Sequence, residues 1–154
     1  MSRLIREAVS LLNHLIQREY DAIAACKTAL QRLASDDERA RIAALLGRHR
    51  EHIDALALLV RNLGGEPASQ ADLLQVTARG RIVLAGLSGE DVVLEATRAS
   101  ENELALTYAR AASQPGLPVD VLDVLQRHAV EVEQGRDALA TGADEALASS
   151  RRGQ

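Results

Sequence analysis

Four long stretches with helical periodicity, joined by two short connections and one long one, most constrain the fold of this chain. The first stretch begins at Ser2, a good N-cap residue, and ends near Leu33. The second begins with the capping box formed by Ser35 and Glu38 and ends near Leu63, where two glycines follow. Because the connection between them is only a few residues long, the sequence predicts that these two helices form an antiparallel hairpin.

The second half of the chain repeats this arrangement after a long intervening segment. The sequence SGED at 88–91 predicts the start of a third helix, which ends near SQPGLP. Pro118 opens a fourth helix that reaches about Leu139. The segment 66–88 separates the two hairpins, and its 23 residues can cross the roughly 38 Å length of a helix of about 25 residues.

Two helical hairpins joined by one long crossover predict an all-α, antiparallel four-helix bundle of the ferritin-like arrangement. We assign residues 1–143 to this bundle and residues 144–154 to a flexible C-terminal tail, because termini without an apolar stripe fray. A chain of this length suits a single domain with its own core.

The composition agrees with a helical core and excludes several classes of function. Hydrophobic residues make up 47% of the chain but aromatic residues only 1%, so the core is aliphatic and rich in strong helix formers. The net charge is −4, with acids and bases interspersed, whereas a general nucleic-acid-binding protein carries a basic face. No apolar run approaches the roughly 18 residues of a membrane span. The single cysteine and the charged N-terminus predict a cytoplasmic protein.

Each predicted helix carries one or two ionisable residues near the middle of its apolar face. They lie on rows of residues three and four apart, the spacing of one helical face, and their neighbours in each row are apolar or small. The set comprises Glu19 on the first helix, His49 and His52 on the second, Glu101 on the third, and His128 with Glu131, at the edge of the stripe, on the fourth. Carboxylates and imidazoles that meet at one depth of a bundle form a metal site, and these ligands suit Fe, Mn or Zn. We predict all six as metal ligands.

Two segments carry a glutamate followed seven residues later by a distinctive side chain. SENELALTYARAA contains Glu101 and Tyr108, and REYDAIAACKTAL contains Glu19 and Cys26. These segments, together with HREHIDALALLVRNLGGEP, resemble the ferritin-like superfamily, and most of all small bacterial ferritin-like domains of unknown function, some of which are associated with stress responses. In that group a glutamate is followed by an aromatic residue at this spacing. The resemblance covers about residues 3–141 and implies a dinuclear metal centre.

The predicted ligands depart from the pattern that this resemblance implies. Ferritin-like di-iron proteins carry a single Glu on each of two helices and Glu-x-x-His on the other two. The two single glutamates are matched, and His52 matches one histidine, but His49 stands where its glutamate is expected. In the fourth helix, His128 and Glu131 reverse the order of the motif. The set therefore supplies three carboxylates instead of four, which leaves a zinc site, a mononuclear site and a lost site open beside a di-iron centre.

Two interpretations without metal stay open at this stage. Three protonated histidines would balance three glutamates, so a metal-free network of imidazole–carboxylate pairs would satisfy the same residues; alternatively, the set faces solvent. The leading functional prediction is metal binding at the bundle centre with a redox or stress-protective role, and the alternative is a structural or interaction bundle with a vestigial site. The apolar stretch 81–87 predicts either packing along the bundle or a homodimer face. We expect Cys26 to be a small core residue.

Overall fold

The computed structural model describes residues 1–70 and 89–152, with side chains described over 1–70 and 89–139. Over these ranges the chain forms four helices and no strand: α1 (Arg3–Arg32), α2 (Asp36–Asn62), α3 (Glu90–Ala112) and α4 (Val119–Arg152). The predicted all-α class is confirmed. Within the same ranges, no helix combines the length and the low charge that a membrane span requires.

The predicted caps set the starts of the first two helices. The Ser2 hydroxyl accepts a hydrogen bond from the Ile5 amide at 3.2 Å, and the Ser35 hydroxyl accepts one from the Glu38 amide at 3.4 Å. These bonds satisfy amides that have no partner within the helix. Helix α3 begins differently, because its N-cap is Gly89 with φ 90° and no side chain caps it.

The last helix extends further than the sequence pattern predicts. The apolar stripe of α4 ends near Leu139, but the helix continues to Arg152. Residues 140–152 are rich in Ala, with Glu and Arg, and a single Gly142 among such strong helix formers does not end a helix. The predicted end at Leu139 marks where the apolar pattern of the sequence stops and not where the helical backbone stops. The division into a bundle over 1–143 and a flexible tail over 144–154 stays a prediction.

The helices pack as a four-membered bundle in which neighbours are antiparallel. Helix α1 packs against α2 and α3, and α4 packs against α3 and α2. The end of α1 meets the start of α3, where the Ala34 amide donates to Glu90 Oε1 at 2.6 Å. The start of α1 meets the α3–α4 turn, where Leu4 contacts Gly116, and it also meets the end of α2, where Val9 contacts Gly65. Helix α2 thus ends and α3 begins at opposite ends of the bundle, as the ferritin-like arrangement requires.

Two apolar clusters fill the bundle on either side of its middle. The larger contains residues such as Leu12, Leu56, Tyr108 and Leu125, and the smaller contains residues such as Cys26, Ile42 and Leu139. Small side chains allow close approach of the helices. Gly135 is buried, and a Cβ atom at this position would lie 2.5 Å from Leu45 Cδ2. The predicted packing or dimer contact of residues 81–87 lies outside the described residues.

Candidate metal centre

The six ionisable residues predicted from the apolar stripes meet in the middle of the bundle. Those that are buried are Glu19, His49, His52, Glu101 and His128. Glu131 reaches them from the edge of the bundle with 34% of its side chain exposed, in keeping with its position beside the stripe. The burial of the first five therefore agrees with the sequence analysis, whereas their role as metal ligands stays a prediction. We call these six residues, together with Cys26 and Tyr108, the central cluster.

Glu19 contacts three other residues of the central cluster. Its Oε1 lies 2.9 Å from His52 Nδ1 and 2.5 Å from the Tyr108 hydroxyl, and its Oε2 lies 2.6 Å from His49 Nδ1. Burial alone raises the pKa of this carboxyl, but the hydrogen bonds and positive charges of His49 and His52 outweigh it and lower the pKa to about 2. A fully buried carboxylate is stable here because three donors surround it.

His49 lies between two carboxylates. Its Nδ1 contacts Glu19 and its Nε2 lies 2.7 Å from Glu101 Oε1. An ionised carboxylate can only accept a hydrogen bond, so each ring nitrogen donates when both carboxylates are ionised. Burial opposes the charge on this imidazole, but hydrogen bonds with Cys26, Glu101 and Glu19 raise its pKa well above the usual value. Without a cation, His49 is an imidazolium.

His52 has the same kind of surroundings. Its Nδ1 contacts Glu19 and its Nε2 lies 2.8 Å from Glu131 Oε2. Burial lowers the pKa of this imidazole, and the hydrogen bonds with the two carboxylates raise it further than burial lowers it. All four ring nitrogens of His49 and His52 therefore face carboxylate oxygens. In the absence of metal, these contacts raise the pKa of both imidazoles and favour their protonated forms.

Tyr108 and His128 form a neutral hydrogen-bonded pair beside Glu19. The only hydroxyl proton of Tyr108 goes to Glu19, so its oxygen accepts from His128 Nδ1, 3.2 Å away. His128 then carries its proton on Nδ1 and a lone pair on Nε2. Its ring stacks on His52 with centroids 3.9 Å apart, and burial, followed by the positive charge of His52, lowers its pKa to about 4. The Tyr108 hydroxyl is therefore hydrogen-bonded on both sides inside the bundle.

Two triads within the central cluster bring together atoms that bind metals. Glu19, His49 and His52 each offer one ligand atom, all within 4.8 Å of one another, and Cys26, His49 and Glu101 do the same. All members of both triads are buried. His49 belongs to both triads, with its Nδ1 toward Glu19 and its Nε2 toward Glu101.

Cys26 is a small core residue, as the sequence predicts, and it also has polar neighbours. It is fully buried, as expected, but it lies against His49 and Glu101. Burial raises the pKa of its thiol, so the sulfur keeps its proton when no cation is bound. The signal that could have identified it was its spacing of seven residues from Glu19, which repeats the spacing of Glu101 and Tyr108.

The residues present suit a bound divalent cation in their donor chemistry. Imidazole nitrogen, carboxylate oxygen and thiolate sulfur are the ligands of zinc and other transition metals. Three buried carboxylate oxygens lack a hydrogen-bond partner within the described part of the chain, those of Asp21, Glu38 and Glu101. Of these, only Glu101 Oε2 belongs to the central cluster, where it is free to bind a cation. The set falls one carboxylate short of the four that a ferritin-like di-iron centre uses.

Comparison with solved structures gives the fold. The bacterioferritin-related protein of Bacteroides fragilis, described as a dodecameric thioferritin, superposes with a TM-score of 0.78 over 97% of this chain and 90% of its own, at 16% sequence identity. A mutant of Dps1 from Mycobacterium smegmatis superposes with a TM-score of 0.77 over 93% of this chain and 99% of its own, at 15% identity. The chain is a ferritin-like four-helix bundle.

Comparison of sequences gives the family. A search of curated proteins finds no match. A family model described as "Domain of unknown function (DUF2383)" matches residues 7–114, which include most of α1, all of α2 and α3, and the glutamates and histidines of both triads. The chain therefore belongs to the family described as Domain of unknown function (DUF2383).

Proposed function

We propose that this protein binds a divalent transition-metal ion in the central cluster. The observation that carries the proposal is the convergence of two buried triads of ligand atoms on His49, each triad within 4.8 Å. Buried carboxylates and imidazoles are costly to keep unless they are paired or bind a metal. A divalent ion would displace protons that its ligands hold in the metal-free network and would supply positive charge in their place.

The ions that suit the cluster are Fe, Mn and Zn, because its donors are nitrogen, oxygen and sulfur. A redox or stress-protective role is the finer part of the proposal, and it requires an ion that changes oxidation state, such as iron. Its support is the resemblance to stress-associated ferritin-like domains. Oxygen consumption after addition of Fe(II), compared between wild type and a variant without metal binding, tests this part separately. Equal rates in the two proteins would contradict it.

A metal-free structural network is the second candidate function, and a specific observation favours it. The four ring nitrogens of His49 and His52 already contact carboxylate oxygens at 2.6–2.9 Å. Such a network satisfies most of its members without any ion. In that case the bundle is a structural or interaction module with a vestigial site, and metal ions have no effect on its stability.

Metal content and thermal stability distinguish the two functions. The protein is purified without chelating resin, analysed for bound metal, and melted with chelator and with added Zn, Mn or anaerobic Fe(II). An ion at 100 times its Kd stabilises the folded state by about 2.7 kcal/mol, which raises the melting temperature of a chain of this size by roughly 5–11 °C. A melting temperature that no metal or chelator changes would refute metal binding.

A matched pair of histidine variants tests where the stabilising metal ion binds. His49→Gln removes the residue that both triads share, whereas His14→Gln changes an exposed histidine on α1. We expect the metal-dependent stabilisation to vanish in His49→Gln and to persist in His14→Gln. Persistence of the effect in His49→Gln would place the ion outside the central cluster.

Self-association and location complete the proposal. The homodimer was predicted from residues 81–87, which lie outside the described part of the chain, but the described helices also expose Leu58, Leu106 and Val130 by about half. Contact with a second copy would cover such apolar side chains. Light scattering that shows a monomer at high concentration would contradict the dimer. A cytoplasmic location stays a prediction from the sequence.

A further inference from the structure

Helices α1 and α3 carry buried residues at the same spacing and run in opposite directions. Each carries a buried glutamate and, seven residues or about 10.5 Å further along, a second buried residue. Because the two helices are antiparallel neighbours, Glu19 lies level with Tyr108, and Glu101 lies level with Cys26. The contacts bear this out: the Tyr108 hydroxyl bonds to Glu19, and Cys26 and Glu101 bring their ligand atoms within 4.8 Å of each other.

Glu19 with Tyr108 and Glu101 with Cys26 thus define two levels along the bundle axis, which we call the Glu19 level and the Glu101 level. The two levels differ in the number of hydrogen-bond donors around each glutamate. The oxygens of Glu19 contact three donors, from His49, His52 and Tyr108. The Oε1 of Glu101 contacts His49, but its buried Oε2 has no hydrogen-bond partner among the described residues. Cys26 occupies the position equivalent to Tyr108, and a thiol is a much weaker donor than a phenol. The Glu101 level therefore lacks a positive or donating group that the Glu19 level has.

We propose that the bound cation lies at the Glu101 level, held by the Cys26 thiolate, His49 Nε2 and Glu101. The proposal rests on metal binding by the central cluster and assigns its position and ligands. On binding, the thiol gives up its proton to solvent, and His49 gives up the proton on Nε2. No electron is transferred.

The remaining nitrogen of His49 already has the partner that such a ligand needs. Its Nδ1 lies 2.6 Å from Glu19 Oε2, and a metal-bound histidine commonly donates its other N–H to a carboxylate, which fixes the tautomer. Glu19 is then a positioning residue that leaves the lone pair of His49 on Nε2. A thiolate ligand also determines which ions bind more tightly, because it favours Zn²⁺ and Co²⁺ over the harder Mn²⁺.

Cobalt reports a sulfur ligand directly and is the probe of choice. Co²⁺ is added without oxygen to the full chain, with a phosphine as reductant. We expect a near-ultraviolet sulfur-to-cobalt charge-transfer band in wild type, its loss in Cys26→Ala, and its retention in His52→Gln. Glu101→Gln should weaken cobalt binding by roughly tenfold or more, as loss of even a partner of a ligand does. Far-ultraviolet circular dichroism checks that each variant is folded.

X-ray absorption of the zinc-loaded wild type tests the same point without any variant. We expect one sulfur neighbour at about 2.3 Å from zinc. A shell of only nitrogen and oxygen, or visible cobalt bands without a charge-transfer band, would overturn this position while leaving metal binding in place. Loss of the band in folded His52→Gln would also overturn it, because the ion would then depend on a residue outside the three proposed ligands. A wild type that binds neither cobalt nor zinc would refute the proposed function itself.

Discussion

Removing one hydroxyl group from the centre of the bundle tests how the metal-free cluster is held together. Tyr108 is fully buried, and its hydroxyl donates to Glu19 Oε1 at 2.5 Å. Tyr108→Phe removes that donor and keeps the ring, so it creates little cavity. A hydrogen bond to a charged group contributes about 1.5–3 kcal/mol. We expect the free energy of unfolding to fall by this amount, which is a drop in melting temperature of roughly 3–12 °C for a chain of this size.

The assay is urea unfolding followed by far-ultraviolet circular dichroism, with chelator present so that bound metal does not contribute. Tyr20→Phe is the matched control, because Tyr20 is the other tyrosine of the chain, is only half-buried, and is not part of the central cluster. We expect the control to change the unfolding free energy by less than about 0.5 kcal/mol. A Tyr108→Phe protein as stable as the control would refute the assignment of Glu19 as a carboxylate that depends on three donors.

Three further predictions concern packing and ionisation. Gly135→Ala should displace the Leu45 side chain, because the new Cβ would lie 2.5 Å from Leu45 Cδ2. Overpacking costs about 1–3 kcal/mol and alanine gains about 1 kcal/mol of helix propensity over glycine, so we expect a net loss of roughly 0–2 kcal/mol in urea unfolding; a stabilised protein would contradict this close approach. The pKa of Glu19 is lowered from 4.5 to about 2, so its contribution is present above pH 4.5 and is lost as the pH falls to 2. Metal-free wild type should lose stability over that window and Glu19→Gln should lose less, whereas equal losses would contradict this. The pKa of His128 is lowered to about 4, so nitrogen NMR should show a neutral ring protonated on Nδ1 at pH 7, and a charged ring at that pH would contradict the Tyr108 contact.

Local signals in the sequence were enough to predict the bundle. Ser2 and Ser35 cap their helices as expected, because capping depends on residues only three positions away. The end of α4 was predicted too early at Leu139, because an apolar stripe reports burial and not helical hydrogen bonding. Strong helix formers continue the helix past the end of the apolar pattern to Arg152.

The sequence alone also determined that Glu19, His49, His52, Glu101 and His128 face the interior, since rotation about a helix follows from spacing along the chain. It could not determine which of them touch, because that depends on the direction and axial offset of neighbouring helices. Only the tertiary structure places Cys26 level with Glu101, leaves one oxygen of that glutamate unpaired, and sets His49 between two carboxylates. Periodicity fixes an angle around one helix, whereas a metal site is a set of distances between several helices.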